Sequence, residues 1–330
     1  MGSRPDDDRG LLGELIGDGR PLLMLAAVIL FLSGVFAIFL AVRREFLPHD
    51  VAFLGMTAQD LCDIADCRIV RFMFHDRVAF GGTLIAVATL YLWLAAVPLR
   101  QGHAWAWRAF LVSGILGFGS FLSYLGYGYL DSWHGAGSLA LLAVFVAGLV
   151  RSRPQAMRAA SGAWLATPEG RAAPRSLRMG RWGLLATAAG LVMAGFVILF
   201  LGMTEVFVAE DLGFIGQTRE ALERISPRLV PLIAHDRAGF GGGLATTGVL
   251  LFMAAWYAPP ARAFHQAVFA AGLAGFGCAI GTHYAEGYVN PWHLAPAFAG
   301  AALFALSLVC ERMGFVPAAA AAESARNRLP

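Results

Sequence analysis

Uncharged apolar runs alternate with shorter polar connections along most of the chain. Residues 22–42 and 182–203 carry no charge over a length sufficient to cross a bilayer, which takes roughly 20 residues at helical rise. Further apolar runs fall at 79–99, 105–124, 132–150, 239–258, 264–282 and 291–310. The pattern predicts an all-α integral membrane protein with eight transmembrane helices. Helices are required because backbone groups in lipid must be satisfied within the segment. The first run could pass for a secretory signal, but its twin at 182–203 lies mid-chain, so both are read as retained spans.

The pattern occurs twice. His75-Asp76-Arg77-Val78-Ala79-Phe80-Gly81-Gly82 returns as His235-Asp236-Arg237-Ala238-Gly239-Phe240-Gly241-Gly242. Downstream, Gly128-Tyr129-Leu130-Asp131-Ser132-Trp133-His134 matches Gly287-Tyr288-Val289-Asn290-Pro291-Trp292-His293. Gly34 aligns with Gly195, Asp50 with Asp211, Thr57 with Thr218 and Arg68 with Arg228. An offset near 160 residues over almost the whole chain indicates internal duplication. Four spans per copy is an even number, so the repeats enter the membrane alike, as two parallel four-helix units (4+4). The expected organisation is a polar tail at 1–20, repeat 1 at 21–150, an arginine-rich linker at 151–181, repeat 2 at 182–311 and a C-terminal tail at 312–330.

Composition agrees: 58% of the residues are hydrophobic and 14% charged, against about 25% charged in a soluble chain. The net charge of +3 comes from arginine alone, there being no lysine. These arginines gather at segment ends, which speaks for membrane topology and against nucleic acid. The linker carries Arg151, Arg153, Arg158, Arg171, Arg175, Arg178 and Arg181 against the single acid Glu169. The positive-inside rule therefore puts the linker and both termini in the cytoplasm of a plasma (inner) membrane protein. Segments 43–78 and 204–238 then face outward. They share a D-x-x-F-x-G-x-T pattern at Asp50 to Thr57 and Asp211 to Thr218 and are expected to form short amphipathic outer helices. Cys62 and Cys67 in the first of them form either a small disulfide or two free thiols.

A His-Asp-Arg triplet beside hydrocarbon is costly, and intramembrane ionisable groups usually mark sites. The candidate cofactor- and metal-binding residues are His75, His134, His235 and His293. Asp76, Asp236, Arg77 and Arg237 are the candidate catalytic groups. Ser226-Pro227 reads as a helix start, as do Asp131-Ser132 and Asn290-Pro291. Gly241 and Gly242 read as helix-packing positions, and Trp133, Trp292, Tyr129 and Tyr288 as an interfacial aromatic belt. His49, His103, His265 and His283 have no histidine at the matching position and are set aside. These residue types fit a membrane enzyme of redox type using haem or a divalent metal. The alternatives are a small-molecule or ion transporter, or a binding or sensory protein for an anionic lipid or quinone-like ligand. Its surroundings are the lipid bilayer, with no nucleic acid.

Overall fold

A computed structural model describes residues 13, 16–122, 129, 132–158 and 174–326. The acidic residues Asp6 to Asp8, the cap Asp131 and most of the linker lie outside them. The described residues form twelve α-helices and no strand. These are α1 (Arg20–Arg43), α2 (Pro48–Leu54), α3 (Ala58–Ala65), α4 (Arg68–Leu94), α5 (Ala104–Leu122) and α6 (Ser132–Arg158). The second set is α7 (Arg175–Gly202), α8 (Ala209–Ile215), α9 (Arg219–Ile225), α10 (Leu229–Tyr257), α11 (Arg262–Glu286) and α12 (Pro291–Arg326). Among the described residues seven helices are long and apolar enough to cross a membrane: α1, α4, α6, α7, α10, α11 and α12. The remaining expected span coincides with α5, a helix of 19 residues.

Burial separates two helices from the rest. In α4 and α10, 67% and 61% of the most apolar stretch is buried, against 17–28% in the other five spans. The outer helices turn side chains such as Leu32, Phe39, Phe196 and Leu306 outward, as a lipid-facing surface requires. α4 packs against α1, α10 and α11, while α10 packs against α7, α4 and α5. The two helices that carry the His-Asp-Arg triplets are thus the centre of the bundle.

Both central helices begin before their apolar runs. α4 starts at Arg68 and α10 at Leu229, so the triplets lie about two turns inside continuous helix. The expected Ser226-Pro227 start is displaced: Ser226 ends α9, and its hydroxyl accepts from the Arg228 backbone N–H at 3.3 Å. The added turns are buried because short helices cover them. Leu61 of α3 and Leu222 of α9 are inaccessible and pack into one apolar cluster with Ile69, Phe72, Leu229 and Ile233.

Every letter of the D-x-x-F-x-G-x-T pattern has a structural task. Gly55 and Gly216 end α2 and α8 with φ +73°, a left-handed conformation that glycine adopts without penalty. Thr57 and Thr218 accept from the backbone N–H of Asp60 and Ala221 and so start α3 and α9. Phe53 and Phe214 lie against Tyr129 and Tyr288, with ring centroids 4.4 and 4.6 Å apart. Asp50 and Asp211 are buried and reach the central arginines. Cys62 and Cys67 are joined by a disulfide at the end of α3.

Candidate metal centre

The triplets of α4 and α10 pair across the bundle axis. Arg77 Nε donates to Asp236 Oδ2 at 2.8 Å and its Nη2 to Asp50 Oδ2 at 2.6 Å. Arg237 Nε donates to Asp76 Oδ2 at 3.3 Å, and its Nη1 to Asp211 Oδ2 at 2.5 Å and to the Val206 carbonyl at 2.7 Å. The Tyr129 hydroxyl donates to Asp50 Oδ1, and that of Tyr288 to Asp211 Oδ1 at 2.8 Å. Each guanidinium therefore holds one aspartate from the other central helix and one from a short outer helix. Asp76, Asp236, Arg77 and Arg237, the expected catalytic groups, are all buried in this lattice.

The histidines stand on it. His75 Nδ1 lies 3.1 Å from Asp76 Oδ1, and His283 Nδ1 lies 2.8 Å from the carbonyl oxygen of Tyr288. A carbonyl only accepts, and so does an ionised carboxylate, so both Nδ1 atoms carry the proton. Tyr288 spends its single proton on Asp211, and its oxygen lies 3.2 Å from His293 Nδ1. His293 Nδ1 must then donate to it. In the neutral tautomers so fixed, all three rings leave Nε2 as a bare lone pair.

Two of those lone pairs face each other, because His75 Nε2 and His283 Nε2 are 3.0 Å apart. They repel unless one ring gains a proton and donates it to the other or a metal ion stands between them. Among the described residues, His75, His283 and His293 are the one group of three His, Cys, Asp or Glu side chains whose ligand atoms all lie within 4.8 Å of one another. Two imidazole nitrogens bound to a single ion at about 2.0–2.1 Å are separated by about 2.8–3.4 Å for right-angle to tetrahedral geometry. A bis-imidazole haem would place its two axial nitrogens about 4 Å apart with the ring between them. The 3.0 Å pair fits a single ion and does not fit haem.

His235 and His134 belong to a second group. His235 Nδ1 lies 3.1 Å from Asp236 Oδ1, its ring stacks on His134 at 5.6 Å, and His49 meets His134 edge-on at 4.7 Å. The four repeated histidines thus divide into two pairs, each drawing one ring from either half. His283 and His49, which duplication alone discounts, join one pair each. A different signal finds His283: it stands ten residues before His293, across a tight turn. Gly287 closes α11 with φ +76°, Pro291 opens α12, and Asn290 Oδ1 accepts from the backbone N–H of Trp292 and His293.

The aromatic residues divide in the same way. Trp133 and Trp292 are 77% and 83% exposed, as an interfacial belt requires, whereas Tyr129 and Tyr288 are 1% and 2% exposed. The tyrosines are working members of the lattice rather than belt residues. Burial pushes each phenol well above its ordinary pKa, and the carboxylate of Asp50 or Asp211 beside it adds to the shift. They remain donors at neutral pH. With the adjacent His49, His75 and His235 counted as neutral, the lattice sets four aspartates against two arginines, which leaves two negative charges in a buried region. Uncompensated charge there is expensive, and a divalent cation would close the deficit. Against family models, curated proteins and solved structures, the chain finds no match.

Proposed function

We propose that the chain is a metal-dependent membrane enzyme holding one divalent transition-metal ion at His75, His283 and His293. Three imidazoles leave a coordination position for water or substrate, the arrangement used where zinc is catalytic. An all-imidazole set suits zinc, copper, iron or nickel, and copper or iron would make the chemistry redox. The observation that carries the reading is the 3.0 Å approach of the His75 and His283 Nε2 atoms, with a ring nitrogen of His293 within 4.8 Å of both and Nδ1 partners that fix the tautomers, the usual support behind a ligating histidine. In this reading Asp76, Asp236, Arg77 and Arg237 position the ligands and balance their charge.

The same proposal takes the chain as eight spans in two parallel four-helix repeats. α5 supplies the eighth span, and the matched partners of α4 and α10 support the repeat. Arginine distribution argues for cytoplasmic termini in a plasma membrane, with the metal centre near the outer face; the Cys62–Cys67 disulfide suits an oxidising exterior. Anionic lipid at Arg77 and Arg237 is the weaker reading, because both guanidinium groups are already held by two carboxylates each.

Elemental analysis of the purified protein, with Co2+ as an optical probe, tests the site. Wild type should bind one equivalent, His75→Ala and His283→Ala none, and His134→Ala one. Wild type that stays metal-free across the series zinc, copper, iron and nickel would leave a proton between His75 and His283, and the enzyme reading would fall.

A further inference from the structure

A cleft of about 1020 Å³ opens between α11 and α12, with its polar mouth at the end of α11 away from His283. That is at the upper end of ordinary small-molecule sites, about 300–1,000 Å³. Its polar lining residues are Arg262, His265, Gln266 and Arg312, all at one end. The remainder is apolar and runs along α11 past Phe269 and Phe276 to Gly281. At helical rise the stretch from Phe269 to Gly281 is about 18 Å, a little over half the hydrocarbon thickness of about 30 Å, which suits the chains of a single lipid.

We propose that this cleft binds an anionic phospholipid, its phosphate held by Arg262 and Arg312 and its chains lying in the apolar groove. The charge argument rests on Glu311. This acid, the residue before Arg312, is fully buried, held by Arg181 Nε at 2.5 Å with His265 Nε2 at 3.3 Å. It is turned inward, so the mouth of the cleft presents cations and hydrogen-bond donors with no exposed acid among its lining residues. Basic pockets between transmembrane helices on the cytoplasmic side are where anionic headgroups are captured, and guanidinium pairs match phosphate geometry. The groove floor is open because Gly277 and Gly281 lack side chains. A Cβ at either would meet nothing within 4 Å. A groove that merely faced lipid would take acyl chains without regard to headgroup, and the two arginines distinguish this one.

The test uses full-length protein in nanodiscs of equal phosphatidylglycerol and phosphatidylcholine, extracted into detergent, with retained lipid counted by mass spectrometry. Wild type should retain phosphatidylglycerol with roughly thirtyfold preference, from two arginines at about 1 kcal/mol each. The Arg262→Gln/Arg312→Gln protein should show no preference. Gly277→Leu, which fills open space, should lower retention of both lipids while leaving helix content and metal content unchanged. Excess inorganic phosphate should not displace the retained lipid. Equal retention of the two lipids by wild type overturns the proposal, and so does an unchanged preference in the double variant. Displacement by inorganic phosphate would point to a free-anion site instead. A dimer sealed through this face and broken by Gly277→Leu, without lipid preference, would assign the groove to a second copy. Metal content is read separately, so loss of the histidine centre leaves the lipid result standing.

Discussion

Tyr288 serves the proposed metal centre twice, through different atoms. Its hydroxyl gives a proton to Asp211 and takes one from His293, and its carbonyl takes the proton of His283 Nδ1. The two tasks can be separated, because Tyr288→Phe removes the hydroxyl and keeps the carbonyl. His293 would lose the acceptor that fixes its tautomer, while His75 and His283 keep theirs. Loss of such a supporting partner typically costs about 10–100-fold in metal affinity. A competitive chelator titration should show that fall with stoichiometry still at one. An unchanged affinity would mean that His293 is not a ligand. At this scale the sequence was legible where duplication marked it. His75, His235 and the triplet partners stood out because they recur. His283 did not, because Tyr124 stands at the matching position, and ligands contributed by only one copy escape a search for repeated residues. Tyr288 recurs, yet the tyrosine of a G-Y-x-x-x-W-H signature looks the same whether it faces lipid headgroups or an aspartate.

Helix existence followed from the apolar runs, but helix ends did not. α4 and α10 extend about ten residues beyond their runs because α2, α3, α8 and α9 bury those turns, a tertiary effect that no local pattern records. The glycines inside these helices were readable as packing positions, and the structure gives the reason. A Cβ on Gly81 would stand 2.8 Å from the Gly34 carbonyl oxygen, and one on Gly241 would stand 2.8 Å from that of Gly195 and against the Leu199 backbone. Backbone cannot step aside as a flexible side chain does. Gly241→Ala should therefore destabilise the protein by about 1–3 kcal/mol through overpacking, exceeding the roughly 1 kcal/mol that alanine returns in helix propensity. Gly119→Ala is the matched control, since a Cβ there meets nothing within 4 Å. It should be neutral or stabilising by up to about 1 kcal/mol. Thermal unfolding of both variants in one detergent measures the difference, and equal melting points would remove close helix approach as the role of Gly241.

The bundle as a whole is tied together by crossed pairs. Arg77 holds Asp236 and Arg237 holds Asp76, and the candidate centre takes His75 from the first half and His283 and His293 from the second. Breaking one partner out of a buried ionic pair costs about 3–5 kcal/mol because it strands a charge. A single half would keep its Arg77–Asp50 or Arg237–Asp211 pair but strand the aspartate of its own triplet, and it would expose the faces of α4 or α10 that pack against the other half. The halves should therefore not fold separately, although their sequences match almost throughout. Residues 1–160 expressed alone should be degraded or aggregate, and should bind no metal. Residues 1–160 and 174–330 expressed together as two chains should co-purify and recover one equivalent of metal, since no lattice contact named above involves the linker between them. Metal retained by the first half alone would place the ligands within that half and contradict the crossed arrangement. Failure of the paired halves with an intact uncut control would instead make the linker part of assembly. Asp76 and Asp236 each answer to an arginine in the opposite half, so the loss of either should strand a charge in the other half as well.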